Sequence, residues 1–286
     1  MKIHLTIATI ALLATGASWA QSSIDEHRPL NADARISVNN TAGSINVQAW
    51  DKNELHLTGS LGSGVDKLEL SGDASNLSIE VKLPHKSHSV DDTTLTLQVP
   101  AGVKLSLQGV SADIRVQGVR GSVEVNSVSG DINLDVKSAQ VSAQTVSGDV
   151  HVQAPATSTK VNSVSGDVVV RGVSGALQGE AVSGSLDVDG GPMSDVHVNS
   201  ISGDVDLSVS LADRAKVAAE TLSGDVKLRL PSAPSAQLTL KSFSGDVRSD
   251  YNAVPAQAKR YEAAMGAGGG SISLSSFSGD VSITRR

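Results

Sequence analysis

Apolar and polar residues alternate along most of this chain, and the alternation repeatedly slips by one position. Val141, Ala143 and Thr145 stand at alternate positions, and then Val146, Gly148, Val150 and Val152 carry the pattern on in the shifted phase. The same slip separates Val196, Val198 and Ser200 from Ile201, Gly203, Val205, Leu207 and Val209. It recurs between Val217, Ala219, Thr221 and Leu222, Gly224, Val226, Leu228, Leu230, and between Ile272, Leu274, Ser276 and Phe277, Gly279, Val281, Ile283. A period of two marks a β-strand with one buried face. A one-residue shift marks a bend or bulge, because an unbroken strand would turn its buried set outward. Each unit is thus two short strands meeting at a corner. This phase puts the apolar corner residue and the glycine inside, with the serine before that glycine and the aspartate after it facing solvent.

The corner is repeated. From Val128 onward an apolar residue is followed by Ser-Gly nine times, at Gly130, Gly148, Gly166, Gly175, Gly184, Gly203, Gly224, Gly245 and Gly279. Asp131, Asp149, Asp167, Asp204, Asp225, Asp246 and Asp280 follow seven of them. The spacings of 18, 18, 9, 9, 19, 21, 21 and 34 residues imply a coil of 18–21 residues with some half-units. One such unit buries too few aliphatic side chains to offset the entropy of ordering its backbone, so units must stack on one another. The predicted fold is all-β, a β-solenoid in which successive coils lie directly above one another. An antiparallel sandwich or meander is the alternative. The glycine either supplies positive φ or lets facing backbones approach. Ala112, in Val110-Ser111-Ala112-Asp113-Ile114, favours close approach, since alanine resists positive φ.

Residues 21–107 follow the same grammar less regularly. Ile36, Val38 and Asn40 precede Thr41, Gly43, Ile45 and Val47, and further alternating runs lie at Leu77–Leu83 and Leu95–Val99. This portion reads as an N-terminal β cap, with the repeat region proper over 108–286. An insertion at about 249–271 interrupts the repeat; it contains a helix-like stretch near Pro255–Met265 and then a glycine-rich run. Met1–Ala20 has the form of a secretory signal peptide: Lys2, an apolar core, and Ser18-Trp19-Ala20 at the cleavage end. No later run is long enough to span a membrane.

Composition narrows the chemistry. Only six aromatic residues occur among 286, so the core must be made of Val, Leu, Ile and Ala. With no cysteine there are no disulfides, thiolate metal sites or cysteine nucleophiles. A net charge of −7 argues against nucleic acid as a partner.

The leader, the Ile-x-Val-x-Asn-x-x-Gly-x-Ile-x-Val opening (Ile36–Val47), Val99-Pro100-Ala101-Gly102 and the recurring Val-Ser-Gly-Asp-Val together resemble a bacterial "putative adhesin" β-strand-repeat family, domain of unknown function 4097. The resemblance spans about Ile36–Ile283. It implies an exported all-β repeat protein, with adhesion suspected and no catalytic residues or cofactor assigned.

Candidate sites follow from the repeat. Stacked coils would place the seven aspartates in a column about 4.8 Å apart, where repulsion invites cations; the alternative is a row of solvated edge residues. Serines 129, 147, 165, 174, 183, 202, 223, 244 and 278 would form a hydroxyl column, suited to carbohydrate or to local hydrogen bonding. His85, His88, Asp91 and Asp92 cluster in a polar stretch, while His27, His56, His151 and His197 are scattered. Catalytic triads, phosphate loops and isolated carboxylate pairs have no signature here. The expected function is a non-enzymatic envelope or surface protein, periplasmic or secreted, binding a glycan or protein through its long β face. A self-assembling structural element is the next reading, and a polysaccharide-acting enzyme the third.

Overall fold

In the computed structural model, residues 23–84, 91–267 and 269–286 are described. The leader segment Met1–Ala20, and His85 and His88 of the polar stretch, lie outside them. The chain forms strands joined by corners and turns, and among the described residues no helix is present.

The repeat becomes a two-faced parallel solenoid. On the first face Val141 pairs with Val123 and Thr159; on the second, Val150 pairs with Ile132 and Val168. Each step is one 18-residue coil. The offset grows to 19 residues between Leu186 and Val205 and to 21 between Val205 and Val226, following the sequence spacing. Parallel pairing through every central coil excludes the antiparallel sandwich. Inward side chains of the two faces meet in a thin core of small aliphatics: Leu107, Ile114, Val125, Ile132, Ala143, Val150, Val161 and Val168 are all inaccessible to solvent. Backbone groups left at the corners pair between coils too, as in Gly148 N–H to Ser165 C=O at 3.1 Å.

Both ends switch to antiparallel pairing. Ser23–Pro29 pairs with Glu54–Ser60, which pairs with Thr93–Pro100; Lys67–Gly72 pairs with Asn76–Lys82. Those strands continue the two faces from Arg35–Trp50, itself stacked in parallel on Lys104–Gln117. The strand Lys104–Gln117 runs unbroken through position 107.

At the other end the coils do not stack in chain order. Gly270–Ser278 and Val281–Arg285 insert between the coil ending at Leu230 and the coil made of Ala236–Ser242 and Val247–Ser249. The last stretch of sequence is therefore the penultimate coil, which corrects the simple succession of rungs. The helix-like stretch is also corrected. Arg260–Ala264 is a strand, antiparallel to Ala236–Ser242, because the terminal coil has an open edge whose backbone groups it pairs. Tyr251 Oη reaches across to donate to Leu230 C=O at 2.9 Å and ties the excursion down.

Candidate functional site

The site begins at the repeated corner. Eight of the nine glycines form one column: a Cβ on Gly148 would sit 2.3 Å from Gly130 O, one on Gly166 2.1 Å from Gly148 O, and one on Gly245 2.0 Å from Gly279 O. Close approach is thus one reason for glycine. Gly166 also has φ +132°, and Gly130, Gly148, Gly184, Gly203, Gly224 and Gly279 share a positive φ of 127–153° while Gly245 does not, so positive φ is a second reason at seven of the eight. Ala112 misleads because its strand passes the corner without that positive φ. Gly175 leaves the column. Its φ of +70° serves a turn at the opposite end of the coil, against Thr157, and Ser174 goes with it, donating to Ala156 C=O at 3.3 Å.

The aspartates stack as a column, and each has a partner one coil away. Asp131 Oδ1 accepts the backbone N–H of Asp149 at 2.9 Å, Asp149 Oδ1 that of Asp167 at 2.9 Å, and Asp167 Oδ1 that of Ser185 at 2.8 Å. Asp204 to Asp225, Asp225 to Asp280 and Asp280 to Asp246 continue the series at 2.8–2.9 Å. One oxygen of six of these seven carboxylates is committed to satisfying a corner N–H; Asp246, at the end of the column, meets Arg248 and Lys259 instead. Lys227 at 3.1 Å from Asp225, and Arg248 at 3.5 Å from Asp246 and 3.6 Å from Asp280, relieve the mutual repulsion of the column. The Asp280 N–H holds the Asp225 carboxyl below its ordinary value against an opposing push from burial, with Lys227 and Arg248 adding to the lowering.

The apolar corner residues are outside. Val128, Val146, Val164, Val182, Ile201, Leu222, Phe277 and Phe243, with Val110 before them, are 41–71% exposed. This reverses the inward placement that the phase slip suggests. The buried set instead jumps from Thr145 straight to Val150, and the four corner residues between them make the turn. Inside the corner lie Ser127, Thr145, Ser163, Ser200, Thr221, Ser276 and Ser242, small enough to fit beneath the glycine column. Ser276 and Ser242 donate to glycine carbonyls at 2.8 Å.

The outcome is an exposed ladder of nine apolar side chains along one edge of the solenoid, one per coil. Beside it runs a polar column of Asn126, Gln144, Asn162, Glu180 and Asn199. Between the two lies a groove of about 570 Å³. A second segment of about 650 Å³ shares Asn199 and Ser200 with the first and continues past Glu220, Leu222 and Lys241 to Phe277 and Phe243. These two rings stack with centroids 4.6 Å apart and planes 7° from parallel. Phe243 is the most exposed member, at 71%.

The opposite face differs. There Arg171 grips Asp187 through two bonds of 2.9 and 2.7 Å, and Arg229 pairs with Asp206 at 2.6 Å. The guanidinium beside Asp187 holds that carboxyl below its ordinary value. Histidines that look scattered in sequence are partly gathered: His27 and His56 stack at 4.1 Å in the N-terminal cap. Reading the corner as solvent-facing would have revealed the ladder; the signal was the unvarying apolar residue before each Ser-Gly.

A family model described as Toastrack DUF4097 matches residues 30–284. No curated protein sequence matches significantly. Among solved structures, similarity extends to a "putative lipid binding protein" from Parabacteroides distasonis ATCC 8503, at 15% identity over 92% of this chain and 96% of that one, TM-score 0.42. It extends also to a "putative adhesin" from Bacteroides fragilis NCTC 9343, at 14% identity over 93% and 97%, TM-score 0.39. A third is a "putative cell adhesion protein" from Clostridium sporogenes ATCC 15579, at 12% identity over 93% and 100%, TM-score 0.28. Among the described residues no helix is long and apolar enough to cross a membrane.

Proposed function

Because the chain belongs to the Toastrack DUF4097 family, we propose that it is an exported, non-enzymatic surface protein that binds an extended glycan along its corner groove. The observation that carries this reading is the apolar ladder, one exposed side chain in each of nine coils, flanked by an amide column at the same spacing. Contiguous exposed apolar surface is costly to keep in water and marks contact sites. A pyranose offers an apolar C–H face and a rim of hydroxyls, matching an aliphatic wall beside Asn126, Gln144, Asn162 and Asn199. The stacked Phe243–Phe277 pair supplies a flat aromatic end to the groove. Each coil contributes a small, nearly identical contact, so affinity grows with the number of coils a polymer spans rather than with any single residue. The leader-like Met1–Ala20 supports export.

A second copy of the chain is the competing occupant, favoured by the same exposed ladder. Retention of polysaccharides on immobilised Gln21–Arg286, followed by the Val164→Asn and Phe277→Ser variants, separates the two. Binding that is lost in both variants supports the glycan reading. Concentration-dependent filaments abolished by the same substitutions, with no polysaccharide retained, overturn it in favour of assembly. Turnover of a retained polysaccharide would overturn the non-enzymatic part.

A further inference from the structure

We propose that Asp25, His27 and His56 form a binding site for a divalent transition-metal ion, with zinc as the reference case. The site lies in the N-terminal cap, away from the corner groove. The antiparallel register sets His27 directly opposite His56, and Asp25, two residues before His27, shares its face. One donor atom from each residue lies within 4.8 Å of the others. Asp25 Oδ1 is 3.0 Å from His56 Nε2 and 3.8 Å from His27 Nε2. Tetrahedral ligands at metal bonds of about 2.0–2.1 Å stand roughly 3.3 Å apart, a value between those two separations.

The surroundings of His56 point the same way. Its Nδ1 lies 3.1 Å from Gln98 Oε1 on the next strand, Thr93–Pro100. An Nδ1–H donating to that carboxamide leaves Nε2 with its lone pair turned towards the Asp25 carboxylate. In that tautomer the Nε2 lone pair and Asp25 Oδ1 face each other across 3.0 Å, a gap that a bound cation bridges. A group that orients a ligating imidazole through its other nitrogen is the usual outer partner of a metal-bound histidine. His56 is held on its other side by Trp50, with ring centroids 6.3 Å apart. His27, whose side chain is 57% exposed, is free to turn out of its stack on His56 and bring Nε2 to the ion. Two imidazoles and one carboxylate suit zinc, nickel or copper rather than magnesium or calcium. The fourth position is left to water or to an outside ligand.

Such an ion would join Ser23–Pro29, a strand that among the described residues is paired on one side only, to Glu54–Ser60. Metal binding therefore has a readout in the stability of that edge. The experiment is a calorimetric titration of the chain with zinc chloride near pH 7.5, with amide hydrogen exchange of Ser23–Pro29 followed alongside. The expected result is saturation at one equivalent, slower exchange in that strand, and loss of both effects in His27→Ala and in His56→Ala. Gln98→Ala should weaken binding by about tenfold or more without removing a ligand. Circular dichroism of each variant checks the fold, since His56 and Gln98 are half-buried. His85→Ala/His88→Ala should keep binding intact, which separates this site from the polar stretch. No saturable zinc binding, or one full equivalent retained in the His27→Ala/His56→Ala double variant, would overturn the proposal.

Discussion

Gly166 and Asp167 show how much one corner asks of two residues. Any side chain at Gly166 meets the Gly148 carbonyl at 2.1 Å while being forced to φ +132°. Gly166→Val should therefore cost about 3 kcal/mol or more, from strain and clash together, visible as a large drop in the urea midpoint. Asp167 is less idle than a solvated edge residue. Its Oδ1 takes the Ser185 N–H at 2.8 Å, so Asp167→Ala should cost about 1–2 kcal/mol; an unchanged midpoint would show that water satisfies that N–H equally well. Asp225 adds a pH signature. Its folded carboxyl sits below the ordinary 3.8, so the native state holds fewer protons there than the unfolded chain. The stabilisation is complete above that ordinary value and fades as pH falls through the folded one. Asp225→Asn should flatten the acid limb of Tm against pH, leaving the dependence above pH 6 as in the parent protein.

At the scale of the element, a coil is two strands, a four-residue corner and a return turn. The alternation read from sequence assigns the strand cores correctly: Val141 and Ala143 face inward, then Val150 and Val152. It fails at the corner, since a period-two rule carries no information about a turn of several residues. Val146 could keep its phase only if the strand continued there; in fact the backbone turns away and leaves it 48% exposed. Substitution along the ladder should separate stability from binding. Val164→Asn is expected to shift unfolding by less than about 0.5 kcal/mol, as exposed sites do, while abolishing partner retention. A destabilisation of several times that size would put Val164 back in the core. The Pro255–Met265 stretch makes the complementary point. Helix propensity there yields to the unpaired edge beside it, and Arg260–Ala264 becomes a strand.

For the whole molecule, both ends of the solenoid are finished by strands that depart from the repeat. Antiparallel strands finish the N-terminal end, and at the other the final segment of chain slots in before the coil that precedes it in sequence. Ala236–Ser249 thus depends on Gly270–Arg286 for all its parallel pairing. Deleting residues 270–286 should unfold 236–267 as well, while the coils up to Leu230 keep their protection; hydrogen exchange by peptide mapping checks this. Retained protection in 236–249 would mean that the coil can dock directly on Val205–Leu230. A nearest-neighbour architecture predicts the graded loss, because each coil is stabilised chiefly by the two it touches.

Local chemistry settled the stacking of coils of 18–21 residues, the thin aliphatic core and the alignment of eight of the nine glycines, because periodicity and repeat spacing act on every coil alike; the parallel pairing that excludes a sandwich came from the structure. Three further features waited for the folded chain: the outward ladder, the exchange of the last two coils, and the meeting of Asp25 and His27 with His56. Each depends on which backbone lies beside which. Neighbours of that kind are set by register between segments far apart in sequence, and no local pattern encodes them.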